Sequence, residues 1–358
     1  MNGGRDVARA VDALRRGWPV EIEGTNLLAI ETADEAALAD FDRAGASDLL
    51  ISGNRAVTLK LANQRDGVPT GPVRVARAPW IDLAGAAAIA DPALDLRNPM
   101  KGPFRTVPLA SQDHAEAALR LARLAGLLPA LFIGGQAEGA ARVGHSDVMA
   151  AVEAESLRIA SRAKLPTRFS EEAEIVAFRS EADAAEHVAL LIGSPGGAPP
   201  LVRLHSECLT GDVLGSQRCD CGPQLREAVE RIAEAGGFLL YLRQEGRGIG
   251  LYAKLDAYAL QDAGLDTYAA NVALGRGEDE RDYTAAAQML RAVGVQRISL
   301  LSNNPDKAHQ LEQHGITVAE RVPTGLHLSE ANARYLMAKR DHTAHTLDLP
   351  IAGWRSSP

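Results

Sequence analysis

Between residues 187 and 313, short apolar runs bounded by turns alternate with stretches of helical periodicity, and this alternation limits the fold more than any other feature. His187–Ile192, Leu201–His205, Phe238–Leu242 and Ile298–Leu301 read as strands, and Gly250–Asp262, Tyr283–Val293 and Pro305–Gln313 as helices. Helices interleaved with strands cover a mainly parallel or mixed sheet, so an α/β layer structure is expected. Upstream, residues 5–16 suggest a helix ended by Gly17, WPVEIEG and LLAIET two short strands, Asp113–Gly126 an amphipathic helix and Leu127–Gly135 a buried strand, which together make an α+β domain. A third helical stretch runs from about 146 to 161, and Pro166 disfavours helix just before it. With roughly 150 residues per domain as a guide, the chain divides into 1–162, 163–346 and a poorly ordered tail, 347–358.

Lys and Arg total 38 against 46 Asp and Glu, a formal net charge of -8. That balance excludes the broad positive surface of a general nucleic-acid binder, so an anionic ligand requires a local basic site. No uncharged apolar run approaches the roughly 18 residues of a membrane span. The first 17 residues lack the apolar core of a signal peptide. A cytoplasmic protein without membrane contact is expected.

The three cysteines, Cys208, Cys219 and Cys221, fall within 14 residues of a 358-residue chain. An odd, clustered set cannot build a disulfide framework. Three thiolates can instead hold zinc and leave a fourth position open, the arrangement of a catalytic site. Pro223 reads as the first residue of a helix whose apolar stripe is Leu225, Ala228, Val229, Ile232 and Ala233, so Cys219 and Cys221 precede a helix N-terminus. Its partial positive charge and nearby Arg218 favour thiolates. Ordinary buried thiols are the competing description, but a Cys-x-Cys pair beside Asp220, Gly222 and Pro223 makes a poor core strand. His205-x-Glu207 superficially matches half of a deaminase zinc signature, whose other half, Pro-Cys-x-x-Cys, is missing.

Two further segments suit an anionic ligand. Glu245, Gly246 and Arg247 follow a strand in a Gly-rich turn that lets backbone approach a ligand, with Arg243 and Lys254 nearby. At Ser302-Asn303-Asn304-Pro305 a strand meets a helix N-terminus, which offers unpaired N–H groups to phosphate, and Lys307 adds a full charge. Arg203, Arg218, Arg243, Arg247, Arg281 and Lys307 together suit one triphosphate.

The ordered motifs RLHSECLTGD (203–212), RCDCG (218–222), RQEGRGIGL (243–251), YALQDAGLDT (258–267), DERDYT (279–284) and LSNNPDK (301–307) make residues 165–346 resemble GTP cyclohydrolase II. The resemblance implies opening of the guanine imidazole ring of GTP, loss of C8 as formate and release of pyrophosphate, the start of riboflavin synthesis. It implies one zinc on the three cysteines, magnesium with the triphosphate, and a homodimer. Among the matched positions, Tyr258, Asp279 and Arg281 are catalytic: Asp279 as proton acceptor, and Arg281 on the α-phosphate as nucleophile or charge clamp. Arg203, Leu204, His205, Ser206, Glu207, Gln224, Glu245, Gly246, Arg247, Thr267, Ser302 and Lys307 contact the nucleotide, and Tyr258 lies near the metal. Ser302 stands where the family usually has Thr, and TGLHLSEANARYL (324–336) replaces its usual acidic, Pro-rich segment. A related cyclohydrolase of uracil catabolism, or a nucleotide-binding regulator with structural zinc, are the other readings of the same residues.

Residues 5–135 resemble more weakly a dihydroxybutanone phosphate synthase domain, chiefly through DHAEAALRLARLAGLLPALFIGG with His114. The acidic segment that such a domain uses for magnesium and proton abstraction is replaced by EIEGTNLLAIET (21–32), and Gly134 or Gly135 stands where a carboxylate is expected. Enediol chemistry needs those carboxylates, so a domain without this activity is expected.

Overall fold

Two seven-stranded sheets organise the chain. The computed structural model describes residues 3–61, 71–95, 97–98, 102–153, 157–180, 185–194, 196–248, 250–262, 264–265, 270, 281, 283–329 and 332. In the first sheet β1 (Val20–Ile22), β2 (Thr25–Ala29), β3 (Asp48–Ile51), β4 (Val73–Val75), β5 (Thr106–Val107), β6 (Ala130–Ile133) and β7 (Ala141–Val143) take the order β5-β4-β3-β6-β2-β1-β7. Helices α1 (Gly3–Arg15), α2 (Glu35–Phe41), α3 (Gly53–Thr58), α4 (Leu83–Ala90), α5 (Gln112–Leu124) and α6 (His145–Glu153) accompany it. Side chains on successive strand residues point to opposite faces. Leu27, Ala29, Leu131 and Ile133 accordingly join α1 and α5 in one core, while Leu28, Ala130 and Phe132 join α2, α3 and α4 in another. Burial on both faces explains why these strands read as continuous apolar runs.

The helix expected over 146–161 stops at Glu153, and residues 157–164 form the edge strand β8 (Leu157–Lys164) of the second sheet, paired antiparallel with β9 (Glu174–Ser180). Only the alternate residues Leu157 and Ile159 are packed against the core beneath. Arg158, Arg162 and Lys164 are the charges with which edge strands discourage further pairing. With so little apolar alternation, the segment carries no strand signal, and the division drawn at 162 falls inside a strand.

The remaining elements are β10 (Glu186–Ile192), β11 (Leu201–Ser206), α7 (Cys221–Ala235), β12 (Gly237–Leu242), α8 (Leu251–Asp262), α9 (Thr284–Ala292), β13 (Arg297–Leu301), α10 (Pro305–Gln313) and β14 (Thr317–Val322). The sheet order is β14-β13-β11-β12-β10-β9-β8, parallel from β12 through β11 and β13 to β14 and antiparallel beyond. From β11 the chain moves one way to β12 and then returns to the other side of β11 to form β13. Such a reversal opens a crevice at the carboxyl ends of the strands. No described helix is long and apolar enough to cross a membrane.

Candidate active site

Alternation along β11 sorts its residues. Val202 and Leu204 enter the core shared with α9 and α10, which turns Arg203 and His205 to the opposite face, toward α7 and the cysteine loop. Arg203 NH2 donates to Gln224 Oε1 at 2.7 Å, and NH1 donates to the Leu301 carbonyl at 3.1 Å. Gln224 Nε2 in turn donates to Asp220. Lys307 is buried and donates from Nζ to the Leu204 carbonyl at 2.8 Å, with Nζ 5.4 Å from the centre of the Tyr283 ring. At the start of α10, Asn304 caps the helix by accepting from Asp306 N–H, and Ser302 Oγ accepts from Asn304 N–H at 3.0 Å. Arg203, Leu204, His205, Ser206, Cys221, Gln224, Arg281, Ser302 and Lys307 line one pocket at the crevice between β11 and β13. Arg203 Nε, His205 Nδ1 and Ser206 Oγ are buried there without a hydrogen-bond partner, polar capacity that a bound polar ligand would satisfy.

The cysteines meet just beyond. Sγ of Cys208 and Sγ of Cys219 are 3.6 Å apart, and the three sulfurs lie within 4.8 Å of one another. A tetrahedral zinc with bonds of about 2.3 Å holds its sulfurs about 3.8 Å apart, and the 3.6 Å between the Cys208 and Cys219 sulfurs is close to that spacing. Gly211 makes the cradle: a Cβ there would lie 2.9 Å from Cys219 Sγ and 3.0 Å from Cys208 Sγ. The helix begins at Cys221 rather than at Pro223. Pro223 is tolerated within the first turn because N–H groups there have no intrahelical acceptor. Cys221 therefore sits on the positive helix end itself. Hydrogen bonds from Cys219 and Cys221, and Lys254 donating from Nζ at 3.1 Å, hold Cys208 well below the usual thiol range. The same sharing pushes the Cys219 thiol up to about 11.

Asp212, absent from the residues singled out by sequence, organises this corner. Its carboxylate lies 3.0 and 3.1 Å from His205 Nε2 and accepts from Tyr241 OH at 2.9 Å and from Cys208 N–H at 3.0 Å. The His205 and Asp212 side chains are each only 3% exposed. Burial pushes the His205 pKa down despite Asp212. Glu245 is the second brace: it accepts from Leu209 N–H and from Lys254 Nζ, both at 2.7 Å. Tyr258 OH is 3.1 Å from Thr210 Oγ1, which is 3.7 Å from Cys208 Sγ.

Several basic residues expected to serve an anionic ligand are held by carboxylates instead. Arg218 pairs with Asp262 and lies over the Tyr258 ring. Arg243 pairs with Glu207 at 2.9 Å, and Lys254 with Glu245. In each case a nearby carboxylate takes the charge. Asp279, Thr267 and the Arg247 side chain lie outside the described residues.

The family model for GTP cyclohydrolase II matches residues 158–323. A GTP cyclohydrolase-2 of Azospirillum brasilense is 40% identical over 364 residues, covering 95% of this chain and 94% of its own length. One from Vibrio cholerae serotype O1 is 52% identical over 188 residues, 52% of this chain and 95% of its own. A riboflavin biosynthesis protein RibBA of Salinispora arenicola is 41% identical over 315 residues, 79% of this chain and 73% of its own. A solved two-domain 3,4-dihydroxy-2-butanone 4-phosphate synthase from A. baumannii covers 89% of this chain at 20% identity, with a TM-score of 0.30 that is too low to carry weight. Similarity along nearly the whole of one relative, and a family match spanning the cysteine loop and the pocket beside it, make this chain a member of the GTP cyclohydrolase II family.

Proposed function

We propose that the chain hydrolyses GTP as a zinc-dependent GTP cyclohydrolase II, yielding 2,5-diamino-6-ribosylamino-4(3H)-pyrimidinone 5′-phosphate, formate and pyrophosphate for riboflavin synthesis. The observation that carries this reading is the convergence of three sulfurs, one of them Cys221, beside a pocket lined by Arg203, Arg281 and Lys307. Cys208, Cys219 and Cys221 would hold the zinc, which would supply a Lewis acid suited to activating water and polarising a formyl oxygen near neutral pH.

The protein's own groups divide the remaining work. Arg203 and Asp220 fix the two ends of the Gln224 amide at the pocket wall, where such a group suits a guanine edge, and Lys307 and Arg281 favour phosphate. A guanidinium is almost always protonated, so Arg281 serves as a clamp on the α-phosphate rather than as a nucleophile. Burial raises the Tyr258 pKa, so the phenol keeps its proton and acts as a donor beside the cysteines. Asp279 is the proton acceptor by resemblance, and Leu204, His205, Ser206, Glu207, Gly246, Arg247, Thr267 and Ser302 complete the nucleotide contacts on the same ground. Glu245 is better described as the brace that ties the cysteine loop to α8. Magnesium with the triphosphate, a homodimer and a cytoplasmic location belong to the same reading. The segment before the second sheet is a domain without synthase activity.

Replacing Cys219 by Ser tests the assignment. Zinc content and formate release from GTP are expected to fall together, and full turnover by the metal-depleted variant would contradict it.

A further inference from the structure

Just past the carboxyl ends of the parallel neighbours β13 and β14, Asn303 and Thr324 meet at the wall of the pocket beside the cysteines. Both are buried. Thr324 N–H donates to Asn303 Oδ1 at 3.0 Å. A backbone N–H can only donate, so this bond settles which end of the Asn303 amide is the oxygen. The other end, Nδ2, donates to Thr324 Oγ1 at 2.8 Å and to the Thr324 carbonyl at 3.1 Å. A hydroxyl that accepts from an amide keeps its own proton for a different acceptor. Asn303 thereby fixes the polarity of the Thr324 hydroxyl as a donor. That hydroxyl shares the pocket wall with Arg281, Ser302, Asn304 and Lys307. Two cationic side chains and the start of α10 suit the oxygen of an anion as the acceptor.

The segment that carries Thr324 is stapled to α7. Glu227 accepts from Gly325 N–H at 2.8 Å and from Arg231 NH1 at 3.1 Å, and its Oε2 lies 2.8 Å from His327 Nε2. Arg231 also donates to the Pro323 carbonyl at 2.7 Å. The residues on both sides of Thr324 are thus held by the helix that brings Gln224 to the same pocket. Neither Thr324 nor Glu227 lies in a motif that carries the family resemblance, and Thr324 opens the segment that departs from the family's usual sequence.

We propose that Thr324 is a further substrate-binding residue, whose hydroxyl, aimed by Asn303, donates to a phosphate oxygen of the nucleotide. Glu227 is the positioning residue that holds the segment in place. The inference rests on reading the pocket as the GTP site. Bonds to a charged oxygen are stronger than neutral ones, so the contact favours phosphate over an uncharged group.

Thr324→Val removes the hydroxyl and leaves Asn303 both of its bonds to the backbone at 324, whereas Thr324→Ser restores the donor. In the full-length chain, the KM for GTP is expected to rise about tenfold in Thr324→Val, with kcat and zinc content unchanged, and to recover in Thr324→Ser. Glu227→Ala is expected to raise the KM likewise and to speed hydrogen exchange at the amides of Thr324 and Gly325; unchanged exchange there would overturn the staple. Inorganic pyrophosphate titrated calorimetrically reads the contact without turnover, and its Kd is expected to rise about tenfold in Thr324→Val. Wild type that binds pyrophosphate more tightly than Thr324→Val yet leaves GTP intact would support the contact while overturning the activity. Equal pyrophosphate affinity in the wild type and Thr324→Val, or no recovery in Thr324→Ser, would overturn the contact itself.

Discussion

Asp212 holds more of the cysteine loop than any ligand does, because its one carboxylate serves His205, Tyr241 and the Cys208 backbone N–H. Removing it strands buried donors, each at about 1–3 kcal/mol. Asp212→Ala is therefore expected to lower stability by about 3 kcal/mol in urea unfolding and to release zinc. Tyr258→Phe differs in kind: it keeps the ring that Arg218 covers and loses only the hydroxyl, so zinc content holds while kcat for GTP falls by about 100-fold or more. His205 gives a pH signature. Its folded pKa lies below the unfolded value of about 6.5. As pH falls below about 6.5 the unfolded chain takes up a proton that the folded chain refuses, and stability drops by up to about 1.4 kcal/mol per pH unit. Above about pH 7.5 this contribution is constant. Urea midpoints across that range should show the slope in the wild type and its loss in His205→Gln. Sequence made His205 visible through its motif. It left Asp212 hidden, because its partners come from two strands and a loop that only the fold brings together.

Among the elements, the turn through Gly211 is the least replaceable part of the site. A methyl group at Gly211 would press on two sulfurs, and a Cβ at Gly222 would lie 2.4 Å from the Gly211 carbonyl oxygen. Gly211→Ala is expected to weaken zinc binding severely while leaving β11 and α7 in place, read as lost metal with unchanged far-ultraviolet circular dichroism. The strands and helices around this turn were legible because their apolar periodicity is strong: α10 spans Pro305–Gln313 as the sequence indicates, with Pro at its first position. β8 was not, because an edge strand packing only two apolar side chains beneath it shows no clear alternation. The start of α7 was displaced by two residues because proline fits several positions of a first turn.

Across the whole molecule, the two halves meet where Pro92–Leu94 contacts α8, the helix that carries Lys254 and Tyr258. Burial, with Asp91 nearby, raises the pKa of the Asp256 carboxyl in that helix. The first half thus touches the element that faces the cysteines, and we propose that it has no synthase activity of its own. Ribulose 5-phosphate incubated with the full chain is expected to remain unconverted, as read by the absence of dihydroxybutanone phosphate. The motifs point to the second half for the chemistry, whereas the contacts of Glu23 with His114 and His145 are hidden in the sequence, because a turn and two helices far apart along the chain make them. Zinc-loaded chain incubated with GTP is expected to release one formate and one pyrophosphate per diaminopyrimidinone ribosylamino 5′-phosphate formed, as read by product masses. Zinc-replete protein that leaves GTP intact would overturn the assignment of this chemistry to the cysteine centre.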